Sequence, residues 1–366
     1  MELKAGTKLL IQKRLKFIRS EILKHDWKEE EIGLMYGKLG AAVFLFVMSP
    51  LDKNSVSQKD AERLLIEVFT KTKGKILGYG FFHGLSGIAF GFNYLIQEGF
   101  VDGKVNEVLE PVDNTIYNTI AHSTDIPVGL ENGILGYLAY LLPRITDGSL
   151  LLNKEKDYIF KRLLIVLVNR LADAIEEQKL NTKEPIAFHI TWDLPICLIL
   201  LSSIVKLDLY SYKVEKILNH LSTTVLSLYP RLQSNRLILL VAMKYVLQEM
   251  NMKGWKEHSN VLKKGIDLEY ILYDELKDKG INLANGTAGI YWLINQYNIF
   301  ENETTFKFNA DDLIKRILQS SYWEEDFVIN QQSLLHGLPG IGIMLAHLKN
   351  KGNKSFSSRL VNGSLL

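Results

Sequence analysis

Leu335-His336-Gly337-Leu338-Pro339-Gly340-Ile341-Gly342 is the stretch that decides the fold, because two glycines three residues apart open an apolar run. The first glycines of such motifs stand at positions 37, 84, 133, 286 and 337. A period near fifty residues is typical of stacked supersecondary units that share one core. The other four copies are Tyr36-Gly37-Lys38-Leu39-Gly40, His83-Gly84-Leu85-Ser86-Gly87, Asn132-Gly133-Ile134-Leu135-Gly136 and Asn285-Gly286-Thr287-Ala288-Gly289.

Glycine explains why a helix can begin at each motif. It has no Cβ, so it takes a positive φ readily and lets another backbone approach closely. Ordinary helix-packing glycines would account for each copy alone, but not for the regular period. The residues that follow are apolar around most of a helix circumference, which predicts buried helices. These runs are 41–46, 88–95, 134–142, 290–294 and 341–348.

Longer amphipathic segments separate the motifs. Their apolar residues keep the i, i+3, i+4 spacing and charged residues fill the other positions, which predicts outer helices with one wet face. No strand alternation interrupts this pattern for long. The segments are 8–24, 57–71, 105–120, 156–177, 212–229, 255–276 and 311–322.

The gap between Gly133 and Gly286 has room for two further units. The stretch 189–196 repeats the Leu-Pro of the last motif, with Asp193 and Ile196 where the glycines would stand. The stretch 231–240 opens a long apolar helix, also without glycine. Seven helical pairs bury their apolar faces most economically by closing into a ring. We therefore predict an all-α chain with one domain, 1–366, folded as an α/α toroid, a seven-fold double-layered helical barrel.

Composition excludes several classes of protein. With 366 residues, 47% hydrophobic and net charge +2, the chain has ample core and no basic block for nucleic acid. Its most apolar segment, 194–205, is shorter than the roughly 20 residues that span a bilayer. No apolar signal segment follows the N-terminus, which predicts a cytoplasmic location. The single cysteine, Cys197, allows neither an intramolecular disulfide nor a multi-cysteine metal site.

In such a ring all inner helices start at one rim, so the residues before each first glycine converge on one mouth. Helix N-termini would also direct N–H groups there, which suits an anionic or carbonyl-rich ligand. Helix capping is the alternative role for Asn, Asp and Ser. The candidates for binding a peptide or partner are Tyr36, His83, Glu131, Asn132, Trp192, Asp193, Asn285 and His336, and Ser234 with Asn235 also reach the rim.

The Gly-Leu-Ser-Gly, Gly-Thr-Ala-Gly and His-Gly-Leu-Pro-Gly helix starts resemble those of the lanthionine synthetase C family, and the resemblance spans the whole chain. It implies a toroid that closes thioether rings in ribosomally made peptides, by adding a cysteine thiol to dehydroalanine or dehydrobutyrine. It also implies zinc, held by a cysteine of the sixth repeat and by a Cys-His pair before the glycine of the seventh. A bound cation lowers the pKa of the thiol.

The sequence departs from the family pattern at those ligands. Ala284 and Leu335 occupy the two cysteine positions, and of the ligand set only His336 is present. Trp192 stands at the fourth-repeat histidine position and Gly129 at the third-repeat aspartate position. A catalytic zinc ion normally has three protein ligands, and no spacing argument brings other histidines to His336. We therefore predict no metal and no cofactor.

Three functions follow as hypotheses. The first is a zinc-free, non-catalytic component of a modified-peptide pathway, which binds precursor peptide or docks on a dehydratase or an active cyclase. The second is an enzyme that performs the cyclisation, or another addition or elimination on a dehydrated peptide, without metal, in which His336 or His83 is the acid or base. The third, a glycan-processing toroid, would need two facing carboxylates, for which Glu131 and Asp193 stand at the rim.

Overall fold

The structure is a computed structural model that describes residues 4–51, 56–72, 78–123, 125–146, 153–277, 280–300, 310–325 and 331–350. These ranges are helical and contain no strand beyond an isolated bridge between Ile32 and Gly37. None of the described helices combines the length and the apolar composition needed to cross a bilayer. The α-helices in chain order are α1 (Ala5–Lys24), α2 (Lys38–Met48), α3 (Val56–Thr72), α4 (Leu85–Gln97), α5 (Val105–Val108), α6 (Glu110–His122), α7 (Ile134–Thr146), α8 (Lys154–Glu176), α9 (Asp193–Lys206), α10 (Ser211–Ser227), α11 (Gln233–Glu249), α12 (Trp255–Lys264), α13 (Leu268–Tyr270), α14 (Thr287–Phe300), α15 (Ala310–Leu318) and α16 (Leu338–Asn350). The described residues also form short 3₁₀-helices at Ser49–Leu51 and Ser321–Glu324 and a π-helix at Ile271–Glu275.

The apolar helices that open at the motifs are α2, α4, α7, α9, α11, α14 and α16, as the sequence predicts. Every residue of α2 is buried, and most residues of the other six are buried as well. Cys197 lies fully buried in α9, among the core side chains. Burial on nearly all sides explains why these helices carry no polar stripe.

Three predicted outer helices are interrupted. The segment 311–322 is one of them, because α15 ends at Leu318 and a 3₁₀-helix follows at Ser321–Glu324. The segment 105–120 breaks at Leu109 into α5 and α6, and Pro111 lies in the first turn of α6. Proline has no N–H and its ring clashes with the preceding turn, so it is favoured in the first turn of a helix, where no intrahelical bond is lost. The segment 255–276 breaks at Gly265, which ends α12 and whose carbonyl accepts a 2.6 Å hydrogen bond from Arg236 Nη1.

The described residues form two compact units. The first unit runs up to Gly78 and resumes at Leu268. Its inner helices pack in the order α14, α16, α2, and each packs on an outer partner: α15, α1 and α3 respectively. The pairing of α16 with α1 joins the last inner helix to the first helix of the chain.

The second unit runs from Tyr79 to Asp267. Its inner helices α4, α7, α9 and α11 pack in that order, and their outer partners are α6, α8, α10 and α12. Each unit is therefore a row of inner helices covered by a row of outer ones. The single domain 1–366 stays a prediction.

We call the loop that precedes each inner helix the rim loop. Before the five helices that open at a glycine motif, this loop caps the helix with its own carbonyls. The carbonyl six residues before the first glycine accepts a hydrogen bond from the N–H of the residue after that glycine. The next carbonyl accepts from the following N–H. The first kind of bond joins Lys38 to Glu31 (2.9 Å), Ile134 to Pro127 (2.8 Å), Thr287 to Gly280 (3.2 Å) and Leu338 to Gln331 (3.0 Å), and the second joins Ser86 to Tyr79, Leu135 to Val128 and Ala288 to Ile281.

The motif glycines permit this close return of the chain. A Cβ at Gly337 would lie 2.0 Å from the carbonyl oxygen of Gln331, and one at Gly340 would lie 1.9 Å from that of Leu334. Neither glycine has a positive φ. Close approach of another backbone, rather than left-handed geometry, is therefore what the motif requires of glycine.

Neighbouring rim loops are joined by a second set of backbone hydrogen bonds. In the first unit the N–H of Leu334 donates to Met35 (2.8 Å) and that of Ala284 donates to Leu335 (2.9 Å). In the second unit the N–H of Phe81 donates to Glu131 (2.6 Å). In each case the acceptor is the carbonyl two residues before a first glycine. The loops therefore repeat the same hydrogen bond, as the helices repeat the same packing.

The two repeats without glycine use side-chain carboxylates instead. The Asp193 carboxylate accepts from the N–H of Leu130, in the rim loop before α7. Glu184 accepts from the N–H groups of Arg231 (2.6 Å) and Leu232 (2.9 Å) ahead of α11, and from Asn235 Nδ2 (2.9 Å). Burial raises the pKa of Asp193 from its usual value, and the Leu130 bond opposes that shift.

We expect Gly337→Ala and Gly340→Ala each to lower the free energy of unfolding by about 2 kcal/mol or more, because the methyl group overlaps a carbonyl that cannot move away. Gly6→Ala is the control: it lies in α1, where a Cβ meets nothing within 4 Å. That change should raise stability by up to about 1 kcal/mol. Urea unfolding followed by circular dichroism measures all three, and equal stabilities would contradict the close-approach role.

Asp193 tests the role of a carboxylate as the acceptor for a rim-loop N–H. A raised pKa means that ionisation of Asp193 reduces stability, and this cost is absent below its unfolded pKa of about 3.9. Asp193→Asn keeps an oxygen for the Leu130 N–H and should match or exceed the wild-type stability at pH 7, with no advantage at pH 3. Asp193→Ala should lose about 1–3 kcal/mol, because a buried N–H loses its acceptor. Equal stability of the Asn and Ala variants in denaturant titrations would refute this role.

Candidate functional site

In the first unit, three candidate residues stand directly before first glycines: Tyr36, Asn285 and His336. All three are half-buried. The rings of Tyr36 and His336 stack, with their centroids 5.8 Å apart and their planes at 23°. The N–H of His336 donates to Ser333 Oγ, and that of Asn285 to Asn282 Oδ1, both at 3.0 Å. The rim loops therefore hold these positions rigidly.

The positions at which the family resemblance places zinc-ligating cysteines are neighbours in the structure. Ala284 and Leu335 are joined by the 2.9 Å backbone hydrogen bond, and His336 follows Leu335. Ala284 is fully buried and Leu335 is 3% exposed. A methyl group, an isobutyl group and one imidazole do not fit a catalytic zinc ion, which needs three protein ligands. Elsewhere in the described ranges, no three His, Cys, Asp or Glu side chains form a metal-binding group.

Partial burial lowers the pKa of His336 below its usual value. Its imidazole is consequently neutral at pH 7 and suited to accepting a proton rather than donating one. Because its folded pKa lies below its unfolded one, His336 reduces stability as the pH falls through that interval.

In the second unit, His83, Glu131 and Asn132 lie together. His83 Nε2 is 3.8 Å from Glu131 Oε1, and the two side chains are 56% and 53% exposed. This separation is longer than a hydrogen bond, so the pair interacts weakly and only when the histidine is protonated. Asn132 lies over Gly80, where an added Cβ would be 2.0 Å from Asn132 Oδ1. The side chains of His83, Glu131 and Asn132 are therefore all accessible to a ligand.

Asp193 and Trp192 have different surroundings from that pair. Asp193 lies beside Gly129, in the rim loop before α7. A Cβ added to Gly129 would be 3.7 Å from Asp193 Oδ1. Trp192 is only 4% exposed, so its indole belongs to the core and offers little surface to a ligand. Ser234 and Asn235 are also buried, and Glu184 holds Asn235.

The structure thus brings the candidate residues together as two groups, one in each unit. The first contains Tyr36, Asn285 and His336, and the second contains His83, Glu131 and Asn132 with Asp193 behind them. Their convergence on one mouth stays a prediction, as do their roles in binding.

The expectation that helix N-termini offer N–H groups to a ligand is wrong at α7 and α14. At both helices the first two N–H groups already donate to rim-loop carbonyls. An anion or a peptide carbonyl would have to compete with these bonds. At these two helices, side chains rather than the helix end are the available donors.

Sequence reasoning missed the residues that hold the rim loops. Asn282 and Ser333 stand four residues before a first glycine, where the second and third copies have Gly80 and Gly129. This position could have been found by extending the motif alignment toward the N-terminus. Glu184 lies 47 residues before its partner Arg231, and no local pattern connects the two.

A solved structure described as nisin cyclase has a similar fold. The two structures align with a TM-score of 0.63 over 98% of each chain, at 14% sequence identity. No model of a known protein family and no curated protein matches the sequence. At this identity the likeness concerns the fold, and it confirms the all-α, α/α toroid fold predicted from the sequence.

Proposed function

We propose that this protein is a zinc-free, non-catalytic component of a lanthipeptide-type pathway, which binds a precursor peptide or docks on a dehydratase or an active cyclase in the cytoplasm. One observation carries the proposal: where the resemblance places two thiolate ligands, Ala284 and Leu335 present buried apolar side chains beside His336. The fold shared with nisin cyclase supports a modified peptide as the ligand class.

The chemistry of ring closure supports binding without turnover. A free cysteine thiol has a pKa near 8.5 and is mostly protonated at neutral pH, so addition to a dehydroamino acid needs help to form thiolate. A metal ion gives that help in the family that the sequence resembles. The residues at the corresponding positions here have no ligand atoms apart from the His336 imidazole.

Each unit offers a surface suited to an extended peptide. In the second unit, the exposed side chains of His83, Glu131 and Asn132 can donate to and accept from a peptide backbone. In the first unit, the stacked rings of Tyr36 and His336 provide apolar area with polar edges. The rim-loop hydrogen bonds fix both backbones before binding, which reduces the entropy lost on association.

The lowered pKa of His336 favours a second candidate, a metal-independent cyclase. Its neutral imidazole would take the proton of a substrate cysteine thiol. The sulfur would then add to the β-carbon of dehydroalanine or dehydrobutyrine, and the α-carbon would receive a proton. In this scheme His83 is the other candidate acid or base.

We expect purified wild-type protein to contain no stoichiometric zinc, and chelator to leave its melting temperature unchanged. The double variant Ala284→Cys, Leu335→Cys should bind zinc stoichiometrically, because it places two thiolates beside His336. Metal analysis after gel filtration measures both. Stoichiometric zinc in the wild-type protein would overturn the zinc-free proposal.

Binding is tested with a fluorescently labelled candidate precursor peptide that contains cysteine and serine or threonine. Because Trp192 is buried, we choose Tyr36→Ala with His336→Ala in the first unit and His83→Ala with Glu131→Ala in the second. The double variant whose residues form the binding surface should bind the peptide less tightly than the wild type by about 2 kcal/mol, the scale of a binding hot spot. Lys256→Ala, on the exposed face of α12, is the control, and all variants should melt close to the wild type.

A thiol-consumption assay separates the two candidate functions. Its substrate is a synthetic peptide that contains cysteine and dehydroalanine, and no metal is added. No turnover supports the binding role. Turnover that His336→Ala abolishes supports the cyclase instead. In the binding experiment, wild-type affinity of both double variants, Tyr36→Ala with His336→Ala and His83→Ala with Glu131→Ala, would place the binding surface elsewhere.

A further inference from the structure

A cavity of about 550 Å³ lies within the first unit, between the rim loop before α14 and the chain that follows α15. Pockets that bind small molecules typically measure roughly 300–1,000 Å³. The cavity is lined mainly by polar and charged groups, and its lining includes Lys277, Thr287, Arg316, Ser320, Tyr322 and Glu325.

The lining contains two cations, Lys277 and Arg316, and one carboxylate, Glu325. Arg316 donates from Nη2 to the carbonyl of Leu276 at 3.0 Å, and its guanidinium lies 5.1 Å from the ring centroid of Tyr273. These contacts hold the guanidinium in place while it keeps further N–H donors. Lys277 is exposed, and none of the ion pairs of the described residues includes it. With Glu325 as the acidic member, the lining is net positive.

Thr287 gives an independent sign of a ligand. It is the first residue of α14, it is 1% exposed, and its hydroxyl has no hydrogen-bond partner in the described structure. The N–H of Thr287 already donates to the carbonyl oxygen of Gly280 at 3.2 Å. The Thr287 hydroxyl is therefore the donor that is left at this helix start. A buried hydroxyl without a partner reduces stability, and a ligand oxygen would remove that cost.

We propose that this cavity binds an oxyanion, a carboxylate or a phosphate, carried by a short peptide segment. Lys277 and Arg316 supply the charge, and Thr287 supplies the buried donor. The cavity is too large for a bare anion to fill, and Ile281 with the Tyr322 ring offers apolar surface to the rest of the segment. The peptide nature of the ligand rests on the proposed function, whereas the choice of an oxyanion rests on the cavity alone.

The probes are three labelled pentapeptides that differ only in a central glutamate, phosphoserine or glutamine. Fluorescence anisotropy measures their affinities for the full chain. At least one anionic peptide should bind about tenfold more tightly than the glutamine peptide, and this difference should shrink with added salt. Preference for glutamate identifies a carboxylate site, and preference for phosphoserine identifies a phosphate site. Equal affinities, or no binding of any of the three, overturn the proposal.

Two variants locate the effect in the cavity. Thr287→Val keeps the shape of the side chain and removes the hydroxyl. It should lower the affinity for the anionic peptide, while the melting temperature stays equal or rises. Lys277→Gln should reduce the ratio of the affinities for the anionic and the glutamine peptide about tenfold. Lys256→Gln, the same charge change on α12, should leave this ratio unchanged. Discrimination that survives both cavity variants overturns the proposal. Loss of precursor binding through Tyr36 or His83 would leave these results unchanged, so the two proposals fail separately.

Discussion

The hydrogen bonds from the first N–H groups of the inner helices to rim-loop carbonyls are the constraint on which the rest of the structure depends. Helices buried along nearly their whole length cannot leave those N–H groups to water. The rim loop therefore turns back until its carbonyls meet the helix start, and glycine is needed where the two backbones touch. One consequence is functional: the residue before each first glycine, such as Tyr36 or His336, is presented by a fixed backbone.

The repeats without glycine meet a related demand by other chemistry. At α9 and α11 the chain gives up the close backbone return, and the carboxylates of Asp193 and Glu184 accept hydrogen bonds from main-chain N–H groups. A charged residue at the rim can thus be part of the fold rather than of a binding surface. Exposure distinguishes the cases, because the His83 and Glu131 side chains are more than half exposed.

Most of the fold could be predicted from local patterns, and much of the site could not. Glycine spacing and apolar runs predicted the inner helices, and Pro111 and Gly265 were visible signals for two of the breaks in the outer ones. The burial of Trp192 and the capped N–H groups at α7 were not predictable, because they depend on where a loop returns in space. The same holds for the cavity, whose main groups Lys277, Thr287 and Arg316 come from three separate segments.

The rim also explains how one fold can carry different chemistry. Ala284 and Leu335 are joined through backbone N–H and carbonyl groups, and their side chains take no part in that bond. A change of side chain at either position therefore leaves the hydrogen bond between the loops in place. The backbone bond between the two loops therefore does not restrict which side chains these positions carry. Function at this rim follows from side chains on a common backbone, so it has to be argued from those side chains and not from the fold.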